Sequence, residues 1–509
     1  MKITSRRALL AAAMITTLTA GAGVVVHADA PPKAGAGPSG CFDPAAFGAV
    51  PDDGADDRVP IQAAIDAATT AGGGTVCLGS GRWRVTRAPV GSFDRFAALS
   101  THGAHLTFTG TGPGTVLELV GDQQAGAVAV LSLDPGASDI TVAQLKIDTS
   151  ATTNTDEQTH AIAIGSGVCA GATCSLPVAD ITVRDVVFAH PATPGFRKGD
   201  CIRLLGNTPA TAVRRVTISG GSFTSCARSG IGVQRNVFSL AVLGNHFGEQ
   251  IGDTAFDGEA TGGDWDDGLR LEGNSFADST VTFSASLTSY RHATITGNTF
   301  SGRGLSLYRT QDVIVADNTF DVTAVDGSGA IDIANVASGD KIDNNLIRRH
   351  GVPGTAIRIT PHSGGIPAQM TVTNNTIITD GDSNGIYADS VRDIGIRDND
   401  ITFTEAAPNG SGIQLQAITG PFNETMITGN TITGPLSDTG ANTYFAAVRL
   451  DSRPELFHGV TVALNASHGA IRSLQCSQRA PGGFAEPIVS TGNRWNVAPT
   501  CVAVLQPGQ

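Results

Sequence analysis

Asp257 and Glu259, in Ala255-Phe-Asp-Gly-Glu259, are the carboxylate pair in this chain with the sharpest spacing for acid–base chemistry. On an extended strand, side chains two residues apart share a face, which places these two Cα atoms roughly 6.5–7 Å apart. Carboxyl pairs about 5–5.5 Å apart hydrolyse glycosides with retention, and pairs about 6.5–9.5 Å apart with inversion. Arg235, one repeat earlier, is a third candidate catalytic group, as a base or as a clamp on a uronate in β-elimination. The same carboxylates with Asp253 make a candidate Ca²⁺ site, helped by Asp264, Asp266 and Asp267 in Gly263-Asp-Trp-Asp-Asp-Gly268. Acid–base pair and cation site remain alternative readings of one cluster. His292 and His362 are secondary candidates.

The elements that must position these groups are strands. Ala293-Thr-Ile-Thr-Gly-Asn-Thr-Phe300 recurs in close copies whose asparagines fall at 245, 274, 298, 318, 345, 375, 399 and 430, in steps of 20 to 31 residues. Self-similarity at that period is the mark of a solenoid. Apolar residues alternate with polar ones inside each copy, the strand period. Asn after Gly or Asp suits a corner residue, and stacked corner asparagines can form a ladder. The architecture expected is an all-β parallel β-helix.

A second strand per coil can be aligned: Cys201–Leu205, Gly230–Gln234, Ala255–Glu259, Val281–Ser284, Leu305–Tyr308, Ile331–Ala334, Ile357–Thr360, Ile386–Asp389, Ile413–Gln416 and Val448–Asp451. Alternation sends two columns outward. One runs Arg203, Gly232, Asp257, Thr282, Ser306, Asp332, Arg358, Tyr387, Gln414, Arg449; the other runs Leu205, Gln234, Glu259, Ser284, Tyr308, Ala334, Thr360, Asp389, Gln416, Asp451. Carboxylates, arginines and two of the chain's four tyrosines on one wall have the make-up of a sugar-binding groove. Arg203, Gln234, Tyr308, Asp332, Arg358, Tyr387 and Asp389 are therefore the candidate substrate-binding residues. Asp332 lies three coils from Asp257, about 14 Å away along the axis, too far to share in the chemistry.

A formal net charge of −13 with only five lysines argues against nucleic acid as a partner and against long-range capture of polyanions. The first thirty residues, with Arg6-Arg7, an apolar run to Val26 and Ala28-Asp-Ala30, read as an export signal of the twin-arginine kind. No other run is long enough to span a bilayer, so no membrane span is expected in the mature chain. The expected organisation is signal peptide 1–30, linker 31–40, N-terminal cap and first coil 41–85, β-helix 86–475, and a C-terminal tail 476–509 packed on the last coils. Eight cysteines in an exported chain suggest disulfides. Cys201 with Cys226, and Cys476 with Cys501, are each 25 residues apart, about one coil. Cys169 with Cys174 would close a tight loop, which leaves Cys41 with Cys77. Zinc is the rival reading, without a C-x2-C pair to support it.

Phe47-Gly-Ala, the Asp-rich turn at 52–57, Ile61-Gln-Ala-Ala-Ile65, Gly72-Gly-Gly-Thr-Val76 and Gly81-Arg-Trp-Arg-Val85 follow one another in an order that closely resembles the N-terminal segment of the pectate-lyase-like superfamily. The match covers about 45 residues. The resemblance implies a right-handed parallel β-helix with an N-terminal capping helix, and the ionisable outer wall adds a polysaccharide as the expected partner. It does not bring a mechanism. Of the polygalacturonase-type motifs, Asn154-Thr-Asp156 is present, but Gly199-Asp-Cys-Ile202 lacks the second Asp, Arg228-Ser-Gly-Ile231 stands where Gly-His-Gly would fall, and no Arg-Ile-Lys follows. The Asp-Pro-His of mannuronan epimerases is absent. The sequence thus points to a secreted polysaccharide-degrading enzyme, a glycoside hydrolase or polysaccharide lyase. The rival from another class is a glycan-binding surface protein that keeps the scaffold without catalysis.

Overall fold

The computed structural model describes residues 40–509 except 90–94, 124–126, 155–158, 166–174, 192–198, 261–264, 278–282, 324–327, 351–353, 362–364, 381–382, 406–409, 435–444, 453–456, 470–471, 479–483, 485–487, 498, 500, 502–503 and 506–509. The expected signal peptide, residues 31–39 of the linker, the Cys169–Cys174 pair and His362 lie outside the described residues.

Three stacks of parallel strands wind around a common core. In a typical coil, Gly304–Tyr308 lies on the first wall, Ile314–Ala316 on the second and Thr319–Val322 on the third, before the chain returns to the first wall at Ile331–Ala334. Each strand pairs in register with its counterpart one coil on, so the first wall runs from Ile202–Leu205 to Arg472–Gln478 without a break in order. The molecule is a right-handed parallel β-helix.

The corner between second and third walls is built on asparagine. From Asn245 to Asn465, each backbone N–H donates to the side-chain oxygen of the next coil's asparagine at 2.9–3.1 Å. Each Nδ2 gives one proton to that same oxygen and another to a backbone carbonyl, as Asn298 does to Asn318 and Leu271. A buried amide side chain is costly unless its donors and acceptors are engaged, and the stack engages them coil after coil. Asn465 and Asn493 extend the ladder beyond the copies recognised in the sequence. Two residues past the corner, Phe188, Phe223, Phe247, Phe276, Phe300 and Phe320 stack with centroids 4.5–4.8 Å apart. From Ile347 to Ile432 the stacked position is isoleucine.

The helix Arg58–Thr70 covers the first coils by burying Ile61, Ala64, Ile65 and Ala68. Asp57 stands at its N-cap, but its carboxylate makes no cap bond and instead accepts from the N–H groups of Val50 and Arg84 at 2.9 and 3.2 Å. Asp56 likewise ties Arg58 to Thr86, and Asp52 holds Arg82. At the other end the ladders continue past residue 475, with Arg472–Gln478 on Ala446–Ser452 and Ile488–Thr491 on Thr461–Ala463. Disulfides join Cys41 to Cys77, Cys201 to Cys226 and Cys476 to Cys501. Among the described residues no helix is long and apolar enough to cross a membrane.

Candidate active site

The strand Phe256–Glu259 turns Phe256 and Gly258 inward and Asp257 and Glu259 outward, as alternation requires. Gly258 is needed there, because a Cβ would lie 2.5 Å from Cε2 of Tyr290, whose ring fills the coil behind it. Asp257 sits in register between Gly232 on one rung and Ser286 on the next, and Glu259 pairs with Thr288. This corrects the outward columns, in which Ser286 and Thr288 replace Thr282 and Ser284. Asp257 to Ser286 is a step of 29 residues where the alignment took 25, and Ser284 is buried, with its hydroxyl donating to the Arg303 carbonyl at 3.3 Å.

Gly232 is the gap that shapes the site. A Cβ there would lie 2.7 Å from Oδ2 of Asp200, whose side chain reaches over the strand into that space. Asp200 is fully buried and gripped by a two-pronged guanidinium, with Arg228 Nε 2.8 Å from Oδ1 and Nη2 2.7 Å from Oδ2. The Asp200 N–H donates to Nδ1 of buried His160 at 3.0 Å, and Nε2 of that ring is 3.3 Å from Arg203. Arg203 in turn donates to Gln234 Oε1 at 2.6 Å. A polar network thus spans the rungs that lead up to Asp257.

Asp257 itself has no hydrogen bond or ion pair with any described residue, and neither has Glu259. Burial pushes the Asp257 carboxyl up to about 7, the neighbouring carboxylates of Glu259, Asp200 and Asp253 push the same way, and Arg228 opposes them. Glu259, two residues on, is exposed to solvent. One acid retained near neutrality beside a solvated carboxylate is the environment split that separates acid from base in catalytic pairs. Arg235, half-buried one rung before, also bonds to no described residue through its side chain.

The other sequence-derived candidates line the same wall but are engaged with one another. Asp332 and Arg358 form a forked pair at 2.6 and 2.8 Å. Tyr387 donates to Gln416 at 3.1 Å, and Tyr308 stands half-buried between Thr288 and Ala334. Asp389 is turned into the following bend, accepting from Ser390 Oγ, the Ile418 N–H and Thr419 Oγ1 at 2.5, 3.1 and 3.3 Å. His292 lies exposed at the turn into the second wall, 2.9 Å from Asp267. Among the described residues no group of three or more His, Cys, Asp or Glu is arranged to hold a metal. Asp264 lies outside the described residues.

Asp200, Arg228 and His160 were not singled out from the sequence as site residues. A glycine in an outward column and an Asp–Arg pair 28 residues apart, about one coil, were the available signals.

No protein-family model matches the chain. It is 44% identical over 82 residues to the mannuronan C5-epimerase AlgE3 of Azotobacter vinelandii, which covers 16% of this chain and 4% of that protein. It is 64% identical over 42 residues to AlgE6 of the same organism, 8% of this chain and 5% of that protein. The chain therefore spans only a small fraction of these relatives. Among solved structures, PfbA, a surface adhesin of Streptococcus pneumoniae, aligns with a TM-score of 0.51 at 17% identity, over 73% of this chain and 91% of its own. The Azotobacter vinelandii AlgE4 A-module aligns with a TM-score of 0.45 at 16% identity, over 92% of this chain and 100% of its own. In fold, the chain is a right-handed parallel β-helix.

Proposed function

We propose that this protein is an exported carbohydrate-active enzyme that cleaves a polysaccharide lying along its first wall, with Asp257 as general acid and Glu259 as the second carboxylate. The observation that carries the reading is the state of Asp257: half-buried, bonded to no described residue, and with its carboxyl pushed up to about 7. A carboxylic acid with that pKa can protonate a glycosidic oxygen at neutral pH, and the leaving sugar departs as an alcohol. Glu259, solvated and two residues away on the same strand, can take a proton from the attacking water. The oxygen of that water forms the new bond to the anomeric carbon as the glycosidic bond breaks. The Cα atoms are about 6.5–7 Å apart on one strand, a spacing that lets the two carboxyl groups flank one glycosidic bond. Asp200, fixed by Arg228, adds negative charge beside Asp257 and so helps to keep the proton on it.

Arg203, Gln234, Arg235 and Tyr308 border the pair and are assigned to substrate contact. Asp332 with Arg358, and Tyr387 with Gln416, form a pre-set polar surface farther along the same wall. Local identity to polyuronate-modifying epimerases supports a glycan as the partner. Export through residues 1–30 is part of the proposal, and three disulfides support an oxidising destination.

The test is a panel of plant, algal and bacterial polysaccharides, read for new reducing ends and for the absorbance of unsaturated uronates, followed by a pH–rate profile on the best substrate. The expected result is reducing ends without unsaturated product. The acid must keep its proton, so kcat/KM should fall as pH rises through about 7. Unsaturated products would mean β-elimination, and a rate that stays flat from pH 5 to 9 would remove Asp257 from the acid role.

A further inference from the structure

The second wall carries a notch that the first-wall chemistry does not use. Its outward column reads Arg270, Thr294, Ile314, Lys341, Thr371, Gly395, Met426 and Thr461 in register. Within this stretch only position 395 lacks a side chain. The gap opens a groove of about 590 Å³, lined by Gln369, Thr371, Asp393, Arg397, Glu424 and Met426. Arg397 leans across the gap, its guanidinium 3.3 Å from the Met426 sulfur and 3.4–3.6 Å from where a Cβ on Gly395 would be. Gln369, Asp393 and Glu424 stand one per coil in the left-handed region, with φ of 55°, 57° and 50°, and form a polar rim.

None of the rim side chains bonds to another described residue, although Asp393 and Glu424 face a groove that also holds Arg397. Elsewhere on the outside the same residue types pair off, as Asp180 does with Arg215 at 2.6 and 2.8 Å. The groove thus offers carboxylate and amide acceptors, guanidinium and amide donors, and a polarisable platform of thioether and guanidinium. Carboxylates make strong charge-assisted bonds to hydroxyl groups, and the flat platform suits the apolar face of a sugar ring. Two carboxylates against one guanidinium, in a chain of formal charge −13, disfavour a polyanion. From Gln369 to Gly459 the groove crosses four coils, about 14 Å between first and last rung.

We infer that this groove is a second glycan-binding site, distinct from the first wall, that takes a few sugar units of a neutral polysaccharide and holds the chain to the protein without cutting it. This rests on the reading that the protein meets polysaccharide, but not on Asp257 being the acid.

The experiment is native affinity electrophoresis of the full chain in gels containing dextran, inulin, laminarin or galactomannan, with alginate and polygalacturonate as acidic comparisons. Wild type, Asp257→Asn, Gly395→Leu and Arg397→Ala are run side by side. Position 395 has no positive φ and its Cβ space meets only ordinary contacts, so a leucine fills the notch from outside and leaves the fold intact. At least one neutral polysaccharide should retard wild type and Asp257→Asn equally. Gly395→Leu and Arg397→Ala should weaken that binding about tenfold or more. Turnover of a short soluble oligosaccharide should be unchanged in Gly395→Leu. Retardation of Gly395→Leu equal to wild type, or retardation by the acidic polymers alone, would overturn the inference. If Asp257→Asn turns over normally while the groove variants lose binding, the catalytic assignment fails and the groove stands.

Discussion

Asp257 is half-buried and its side chain bonds to no described residue, a combination that is costly to keep. Its carboxyl pKa is raised from 3.8 to about 7, so the folded state holds a proton that the unfolded state has lost. The sign follows from linkage. The stability associated with this group is fully present below about pH 4 and is lost as pH rises through about 7. Asp257→Asn removes that titration without changing the side chain's shape. The variant should therefore unfold at a higher temperature than wild type at pH 8, with a gain on the order of 2–4 kcal/mol, and the gap should close near pH 4. Thermal melts of the two proteins at the two pH values measure it. Equal melting temperatures at pH 8 would mean that Asp257 is solvated and ionised in the folded protein. Asp340, also raised to about 7 by burial, accepts bonds from Thr310 Oγ1 and the Val313 N–H at 2.5 and 3.0 Å. Its environment is that of a structural carboxyl at a turn, and the contrast with unpartnered Asp257 is what separates the two.

At the scale of the element, the asparagine corner is where sequence and structure agree most closely. The repeat displays Asn-x-Phe and Asn-x-Ile at a steady period, and any fold that stacks those copies must bury the asparagines in a column. Asn318→Ala should be among the more damaging single changes away from the site. It deprives the Asn298 N–H and side chain of their acceptor and the Asn345 oxygen of its side-chain donor, leaving that oxygen only the backbone N–H of residue 318. Each buried group left unpaired costs about 1–3 kcal/mol, and denaturant unfolding should register a loss of several kcal/mol. A loss under about 1 kcal/mol would show that water replaces the ladder at small cost. The first wall was legible wherever its strand followed the average period. It was misread at one coil, where the step from Asp257 to its partner Ser286 is 29 residues and an alignment at 25 stopped four residues short. Alternation fixes which residues share a face; it does not fix how many residues a loop holds before the strand resumes.

For the whole molecule, the superhelix turns a one-dimensional pattern into a surface, and much of the candidate site lies beyond the reach of that pattern. Asp257 and Glu259 were visible because they sit on one strand. Asp200 and Arg228 were not, because both lie outside the strands, Asp200 reaching into the space over Gly232 and Arg228 gripping it from the next coil. The engaged state of Asp332, Arg358 and Asp389 was likewise invisible, since outward residues look equally available until their neighbours are known. The described residues form no metal cage. Chelation with EDTA should accordingly leave turnover intact, whereas loss of activity restored by Ca²⁺ would place a cation in the reaction.

The claim at the centre of this account is that Asp257 delivers the proton and Glu259 completes the pair. Its most direct test is the turnover of Asp257→Asn and Glu259→Gln on the best polysaccharide of the panel, with circular dichroism confirming the β-rich fold of each. Loss of a positioned acid or base costs about 10²–10⁴-fold in rate, so both folded variants should fall by at least two orders of magnitude and should still bind the substrate. Wild-type turnover in both folded variants would contradict the assignment.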